Sequence, residues 1–228
     1  MKLLLFDIDG TLIRSRGAGR AAMIAALEEL FGTAGPVDSY HMGGKTDPRI
    51  ITDLLIAAGV EAAEIERRLP EIFQVMTEKA HQIFPARRIA LCPGVVPLLS
   101  ALDGRDDVLL GLLTGNIRST APLKLAAAGI DPTRFRVGAY GSDAIDRNQL
   151  PAVALQRASQ LLKREIAGNN TVIIGDTPAD VMCARAGKAT AVAVASGWHS
   201  AQTLARYQPD YLLDNLVDTD ATLRILLA

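Results

Sequence analysis

Leu3-Leu4-Leu5-Phe6-Asp7-Ile8-Asp9-Gly10-Thr11-Leu12 is an apolar run that leads directly into two acids spaced i, i+2 and then a glycine. A short continuous apolar run bounded by turn residues reads as a buried strand. Gly10 lets the chain turn sharply, so both carboxylates stand at a strand terminus. Two acids beside a glycine also occur in ordinary turns and helix caps. What separates the two cases is whether the rest of the chain brings more chemistry to the same place.

Outward from this segment the same rhythm recurs. Apolar runs at Val108 to Leu113, Thr171 to Ile174, Ala189 to Ala195 and Asp210 to Leu213 read as further buried strands. Helical patterns lie between them: Pro93 to Leu102, Thr120 to Ala128 closed by Gly129, Leu150 to Glu165, Pro178 to Ala186 closed by Gly187, and a terminal stretch after Asn215. Strands alternating with helices predict an α/β fold, a mostly parallel Rossmann-like sheet with helices on both faces. Ligands bind such sheets at the carboxyl ends of the strands.

The rhythm breaks once, where about seventy residues of helical pattern follow the first strand. This predicts an inserted helical bundle at 15–86, with the core formed by 1–14 and 87–228. Gly17 to Phe31, Pro48 to Ala58 and Glu61 to Phe84 are its helices, and Pro70 is expected to kink or split the last. The loop His41-Met42-Gly43-Gly44-Lys45-Thr46-Asp47 is either a ligand-facing tip or a solvated loop that needs glycine for its turns.

The strand ends carry the chemistry. Leu113-Thr114-Gly115-Asn116 places a hydroxyl, a bare backbone and an amide ahead of a helix, a natural phosphate cradle. Gly175-Asp176-Thr177-Pro178-Ala179-Asp180 adds two more acids, with Pro at the first turn of the next helix. A parallel sheet gathers all of these at one edge. Uncompensated carboxylates there repel by several kcal/mol at low dielectric, and a hard cation such as Mg²⁺ with oxygen ligands is the simplest remedy.

With 24 Lys+Arg against 25 Asp+Glu, the chain has no field suited to nucleic acid or a membrane surface. No apolar run approaches the ~18 residues of a membrane span, and the opening apolar run is too short for a signal peptide, so the expected location is the cytoplasm. Cys92 and Cys183, about ninety positions apart and without metal-ligand spacing, read as buried reduced thiols. Trp198 and His199 read as packing and loop residues.

DIDGTL, the threonine after the second strand and GDTPADV together resemble motifs I, II and IV of the haloacid dehalogenase-like hydrolases. The likeness spans the whole chain, and the insertion after motif I looks like a helical cap of the C1 class. The phosphoglycolate phosphatase-like branch, also rich in LTGN sequences, is the most similar. The resemblance implies a Mg²⁺-dependent phosphatase of small phosphomonoesters, monomeric or homodimeric, with a phosphomutase of the β-phosphoglucomutase type as the runner-up and a non-catalytic phosphate-binding module as a minor alternative. A dehalogenase or phosphonatase fits less well, because Asp9 is present. By resemblance, Asp7 is the nucleophile that becomes an aspartyl-phosphate and Asp9 is the acid/base. Thr114, Gly10, Gly115 and Asn116 hold the phosphoryl oxygens. Asp7, Asp176 and the backbone carbonyl of Asp9 hold Mg²⁺, and Asp180 supports them.

Motif III departs from the pattern. The family usually has a lysine there, and Gly141 to Pro151 contains none. Arg147 is the best positional match, with Lys124, Arg157 and Lys163 as alternatives. An arginine has the charge and forked donors for a phosphate but a different reach. Arg14, Arg16 and Arg20 near the expected flap either attract an anionic substrate or merely solvate a helix start, and Lys45 in the cap loop is the better candidate for substrate selection.

Overall fold

The computed structural model describes residues 1–228. In chain order the elements are β1 (Lys2–Phe6), β2 (Ile13–Arg14), α1 (Ala18–Phe31), α2 (Asp47–Ala57), α3 (Ala62–Ala86), β3 (Ala90–Leu91), α4 (Val95–Leu102), β4 (Val108–Thr114), α5 (Ala121–Ala127), β5 (Val137–Tyr140), α6 (Leu150–Leu162), β6 (Thr171–Gly175), α7 (Pro178–Ala186), β7 (Thr190–Val194), α8 (Ala201–Ala205), β8 (Tyr211–Leu213) and α9 (Thr219–Leu226).

Six strands form one parallel sheet in the order β5-β4-β1-β6-β7-β8. Counting only these strands, the order is that of the doubly wound Rossmann sheet, with β1 at its centre and the reversal between β1 and β6. Because side chains alternate across a strand, Leu3 and Leu5 join one buried cluster with α6 and α7, while Leu4 and Phe6 join another with α4 and α5. Both faces are covered, which is why the strands read as unbroken apolar runs.

The chain leaves the sheet through β2 and returns through β3, which pair antiparallel as a short neck. Between them α1, α2 and α3 share their own apolar cluster, centred on Met23, Leu27, Ile51, Leu54 and Ile72. Ile117, just beyond β4, is buried in that cluster rather than in those of the sheet. Full burial of such a side chain contributes about 1.5–3 kcal/mol and fastens the insertion to the loop after β4.

Several elements differ from the sequence reading. Pro70 neither splits nor ends α3, which runs from Ala62 to Ala86. Pro70 lies on the exposed face of this helix, as does Glu66 one turn before it. The carbonyl that Pro70 deprives of a donor is therefore open to water. Edge strand β5 was not expected, since Val-Gly-Ala-Tyr lacks a run of bulky apolar residues, and neither was the short helix α8. Helix α6 stops at Leu162, capped by Lys163 in the left-handed region. No helix is long and apolar enough to cross a membrane. Both cysteines are buried and free, and burial pushes their thiols up, Cys92 to about 11 and Cys183 to about 12.

Candidate active site

The register places the chemistry. Phe6 lies beside Leu112 of β4 and Ile174 of β6, so Asp7, Thr114 and Asp176 emerge together at the carboxyl edge of adjacent strands. Asp7 extends the ladder by one bond, its N–H donating to the Ile174 carbonyl at 2.9 Å. Gly10, at φ 94°, turns the chain away, and any side chain there would meet the Asp176 carboxylate 2.2 Å from its Cβ. A Cβ on Gly197, which the sequence did not single out, would lie 1.7 Å from the same carboxylate.

Asp7, Asp176 and Asp180 bring one carboxylate oxygen each within 4.8 Å of one another. Burial, with Asp180 and Asp9 adding to it and Arg147 opposing, pushes Asp7 up to about 7. Burial together with Asp7 and Asp180 pushes Asp176 up to about 8. Asp180 has both oxygens engaged: Oδ2 accepts from the Thr177 N–H and hydroxyl at 2.9 and 2.7 Å, and Oδ1 from Arg147 at 2.5 Å. Asp176 differs, because its Oδ1 accepts only from Thr11 at 3.3 Å and its buried Oδ2 has no partner. Crowded, buried, oxygen-only donors with one orphaned carboxylate oxygen fit a hard divalent cation.

Arg147 is the cation beside Asp7. It is 8% exposed, and Nη2 lies 3.2 Å from Asp7 and 2.5 Å from Asp180. Burial disfavours its charge, but the two carboxylates outweigh that and raise its pKa. Of the alternatives, Arg157 is bound to Asp143 and the Gly138 carbonyl at the β5 edge, and Lys163 is the exposed cap of α6.

Lys124 does reach the site, on the other side. It is 4% exposed, and its Nζ lies 2.6 Å from Asp9 Oδ2 and 2.5 Å from Asn116 Oδ1. The Asn116 amide nitrogen donates to the same Asp9 oxygen at 2.9 Å and to the Thr114 hydroxyl at 2.8 Å. Burial alone raises the Asp9 pKa, but the Lys124 charge and the nearby Lys124, Ser15 and Asn116 donors reverse that and lower it. The Asp9 side chain thus belongs to a different pairing from the three acids around Arg147.

The insertion closes the site. A cavity of about 400 Å³ lies between it and the sheet edge, lined by Asp7, Asp9 and Asp176, Thr114 to Asn116, both cations, the loop from Tyr40 to Lys45, and Trp198 and His199. That loop is bonded to the core: the Thr46 hydroxyl donates to the Ile145 carbonyl at 2.7 Å, the Asp47 N–H to the Gly115 carbonyl at 2.7 Å, and the Ile117 N–H to Asp47 Oδ2 at 2.9 Å. A Cβ on Gly115 would sit 2.2 Å from the Lys45 carbonyl, so only glycine permits this approach. Burial pushes Asp47 up to about 6. Lys45 borders the cavity, with its ammonium 2.7 Å from the Tyr40 hydroxyl and 3.7 Å from Asp53.

Trp198 is no packing residue: it is 94% exposed at the cavity rim, and His199 faces His41 of the cap loop at 6.4 Å between ring centroids. Arg14 donates to the Ser196 carbonyl and Arg20 pairs with Asp38 at the surface, though Arg20 still borders the cavity.

A family model described as haloacid dehalogenase-like hydrolase matches residues 4–185. A phosphoglycolate phosphatase of Pseudomonas fluorescens strain Pf-5 is similar at 26% identity, over 94% of this chain and 77% of that protein. A phosphoglycolate phosphatase of Synechococcus elongatus is 31% identical, over 96% of this chain and 95% of that protein. Among solved structures, CbbY from Rhodobacter sphaeroides in complex with phosphate has a TM-score of 0.70 at 18% identity, covering 96% of either chain, a likeness of fold.

Proposed function

The chain belongs to the haloacid dehalogenase-like hydrolase family, and from that premise we propose that it is a Mg²⁺-dependent phosphatase of small phosphomonoesters acting in the cytoplasm. One juxtaposition supports this most: Asp7, at the centre of the sheet edge, lies 3.2 Å from a buried guanidinium and has a carboxylate oxygen within 4.8 Å of one of Asp176, while Asp9 is held apart by other donors. One carboxylate is placed to attack and a second to move protons.

In this reading residues 1–14 and 87–228 are the catalytic core and residues 15–86 the cap. Asp7 attacks phosphorus, and Asp9 protonates the departing oxygen and then takes a proton from the attacking water. Thr114, with the backbone of Gly115 and Asn116 and the turn at Gly10, holds the phosphoryl oxygens, and Arg147 offsets their charge. Asp7, Asp176 and the Asp9 carbonyl would hold Mg²⁺, with Asp180 orienting Arg147 and the turn at Thr177. Bound there, Mg²⁺ neutralises the phosphoryl oxygens and lets one anion approach another. The cap loop excludes bulk water, and Lys45 faces the alcohol portion. The phosphoglycolate phosphatases it resembles make a compact acidic phosphomonoester the first substrate to try.

The test is a screen of phosphorylated metabolites with Mg²⁺, measuring phosphate release and product isomers together. Release with no isomer formation is expected. Isomer formation without release would replace hydrolysis by phosphoryl return to a sugar, and neither product from any phosphomonoester would refute both.

A further inference from the structure

Lys124 has an environment that the proposed chemistry does not yet use. An ammonium buried to this degree is unfavourable by several kcal/mol unless it is paired and hydrogen-bonded. Its partners are two side chains of the site, Asp9 and Asn116, and no backbone carbonyl. Room for it comes from Gly19 of α1, where a Cβ would stand 2.6 Å from Nζ and 2.9 Å from Cε. Lys124, Asn116 and Asp9 form a closed ring: Lys124 donates to both others, and Asn116 donates to the Asp9 oxygen that Lys124 already holds. The Thr114 hydroxyl, accepting from the same Asn116 nitrogen, fixes the amide orientation.

The ring leaves the two Asp9 oxygens unequal. Oδ2 has two donors, whereas Oδ1 is buried with no protein partner. A free carboxylate turns about its Cβ–Cγ bond and presents either oxygen, but one tied at a single oxygen by two donors cannot. Near-attack geometry depends on such constraints.

We propose that Lys124 is the positioning residue for Asp9: with Asn116 it ties Oδ2 to the cavity wall, so that Oδ1 exchanges protons with the reacting oxygens. This rests on the phosphatase reading above. As Asp7 attacks, the phosphorus–oxygen ester bond breaks, its electron pair goes to the departing oxygen, and that oxygen takes a proton from Asp9 Oδ1, which Asp9, ionised in the resting site beside Lys124, has received from the monoanionic phosphoester. Water then gives a proton to Oδ1 while its oxygen attacks phosphorus, and the bond to Asp7 breaks with its pair returning to the carboxylate. Lys124 touches neither phosphorus nor the departing oxygen.

The test uses the full chain with Mg²⁺ and two substrates, an alkyl phosphate, whose alkoxide must be protonated to leave, and p-nitrophenyl phosphate, whose phenolate leaves unaided. kcat/KM reports events up to departure, so loss of an oriented proton donor affects the alkyl ester more. Lys124→Met should lower kcat/KM for the alkyl phosphate by about a hundredfold, within the usual range for general acid catalysis, and that for p-nitrophenyl phosphate at least about tenfold less severely. Acid-quench labelling should show phosphoenzyme accumulating, because its hydrolysis uses the same oxygen. Gly19→Ala keeps the charge but displaces the ammonium, and should give the same ordering with smaller losses; it decides the matter if Lys124→Met does not fold. Equal losses on both substrates without accumulation, in a protein whose unsubstituted form labels normally, would overturn the inference alone. Absence of label in the unsubstituted protein would overturn the phosphatase reading and the inference with it.

Discussion

Replacing Arg147 tests the departure at motif III most directly. Its Nη2 is shared by Asp7 and Asp180 at 3.2 and 2.5 Å, and its buried Nε has no acceptor in the protein. Arg147→Ala leaves Asp7, Asp176 and Asp180 facing one another without a cation. Removing one partner of a buried pair destabilises by about 3–5 kcal/mol, and losing one charged donor in a water-excluded site lowers kcat/KM by about a hundredfold or more, equivalent to ~3 kcal/mol. Urea unfolding without and with Mg²⁺ separates the two effects: Mg²⁺ should recover much of the stability but not the kcat/KM. Arg147→Lys should recover part of the activity, since an ammonium can stand near the Nη2 position but supplies nothing at Nη1 or Nε. Arg157→Ala, which removes a cation bound to Asp143 at the far edge, should keep nearly full activity. A near-normal Arg147→Ala enzyme with a crippled Arg157→Ala enzyme would refute the placement of motif III.

Asp7→Asn should abolish phosphoenzyme formation, whereas Asp9→Asn should slow both halves and leave any phosphoenzyme long-lived; acid-quench labelling reads both, and label on the Asp7 variant would reverse the assignment. Because Asp7 and Asp176 are pushed up to about 7 and 8, the metal-free folded chain retains protons that the unfolded chain has already lost, so its stability falls as pH rises between about 4 and 8. Mg²⁺ competes with those protons, so the rise in Tm on adding it should be larger at about pH 8 than at about pH 6, and a pH-independent rise would contradict this. Thr46→Val removes the hydroxyl that donates to the Ile145 carbonyl and caps α2, which weakens cap closure by about 1 kcal/mol, read as a KM increase of about fivefold. An unchanged KM, with unchanged hydrogen exchange at Ile117, would mean that closure does not depend on this bond.

The centre of the sheet was legible because β1 obeys a local rule: a strand buried on both faces must be apolar without interruption, and Leu3 to Phe6 is. Its neighbours β4 and β6 obey the same rule, so the acids and the threonine at their ends could be assigned to one edge before any register was known. Edge strand β5 escaped because an edge position demands less. The continuity of α3 through Pro70 escaped because the penalty for proline depends on whether the bereft carbonyl faces water, which the sequence does not record. Trp198 reads as a packing residue from its place just after a strand and Gly197, but the loop after β7 leaves it 94% exposed.

Lys124 marks the sharpest limit, and the reason is electrostatic. Its segment, Ala-Pro-Leu-Lys-Leu, reads as part of a helix whose lysine is an alternative to Arg147, and nothing local points to its partner Asp9, 115 positions away. What makes burial of that charge tolerable is the acid count at the sheet edge, where Asp7, Asp9, Asp176 and Asp180 face two buried cations. The sequence reading treated motif III as one cationic position to be filled and set Arg147 and Lys124 as rivals for it. In the structure they do not compete, since Arg147 stands with Asp7 and Asp180 and Lys124 with Asp9 and Asn116. Four ionised carboxylates against two monovalent cations would leave a deficit of two positive charges, which protons on Asp7 and Asp176 offset in the metal-free chain and one divalent ion would offset in their place. Under the phosphatase proposal, with Arg147 at motif III in place of the family's usual lysine, that balance is kept, so the departure changes the geometry around Asp7 without changing the charge beside it.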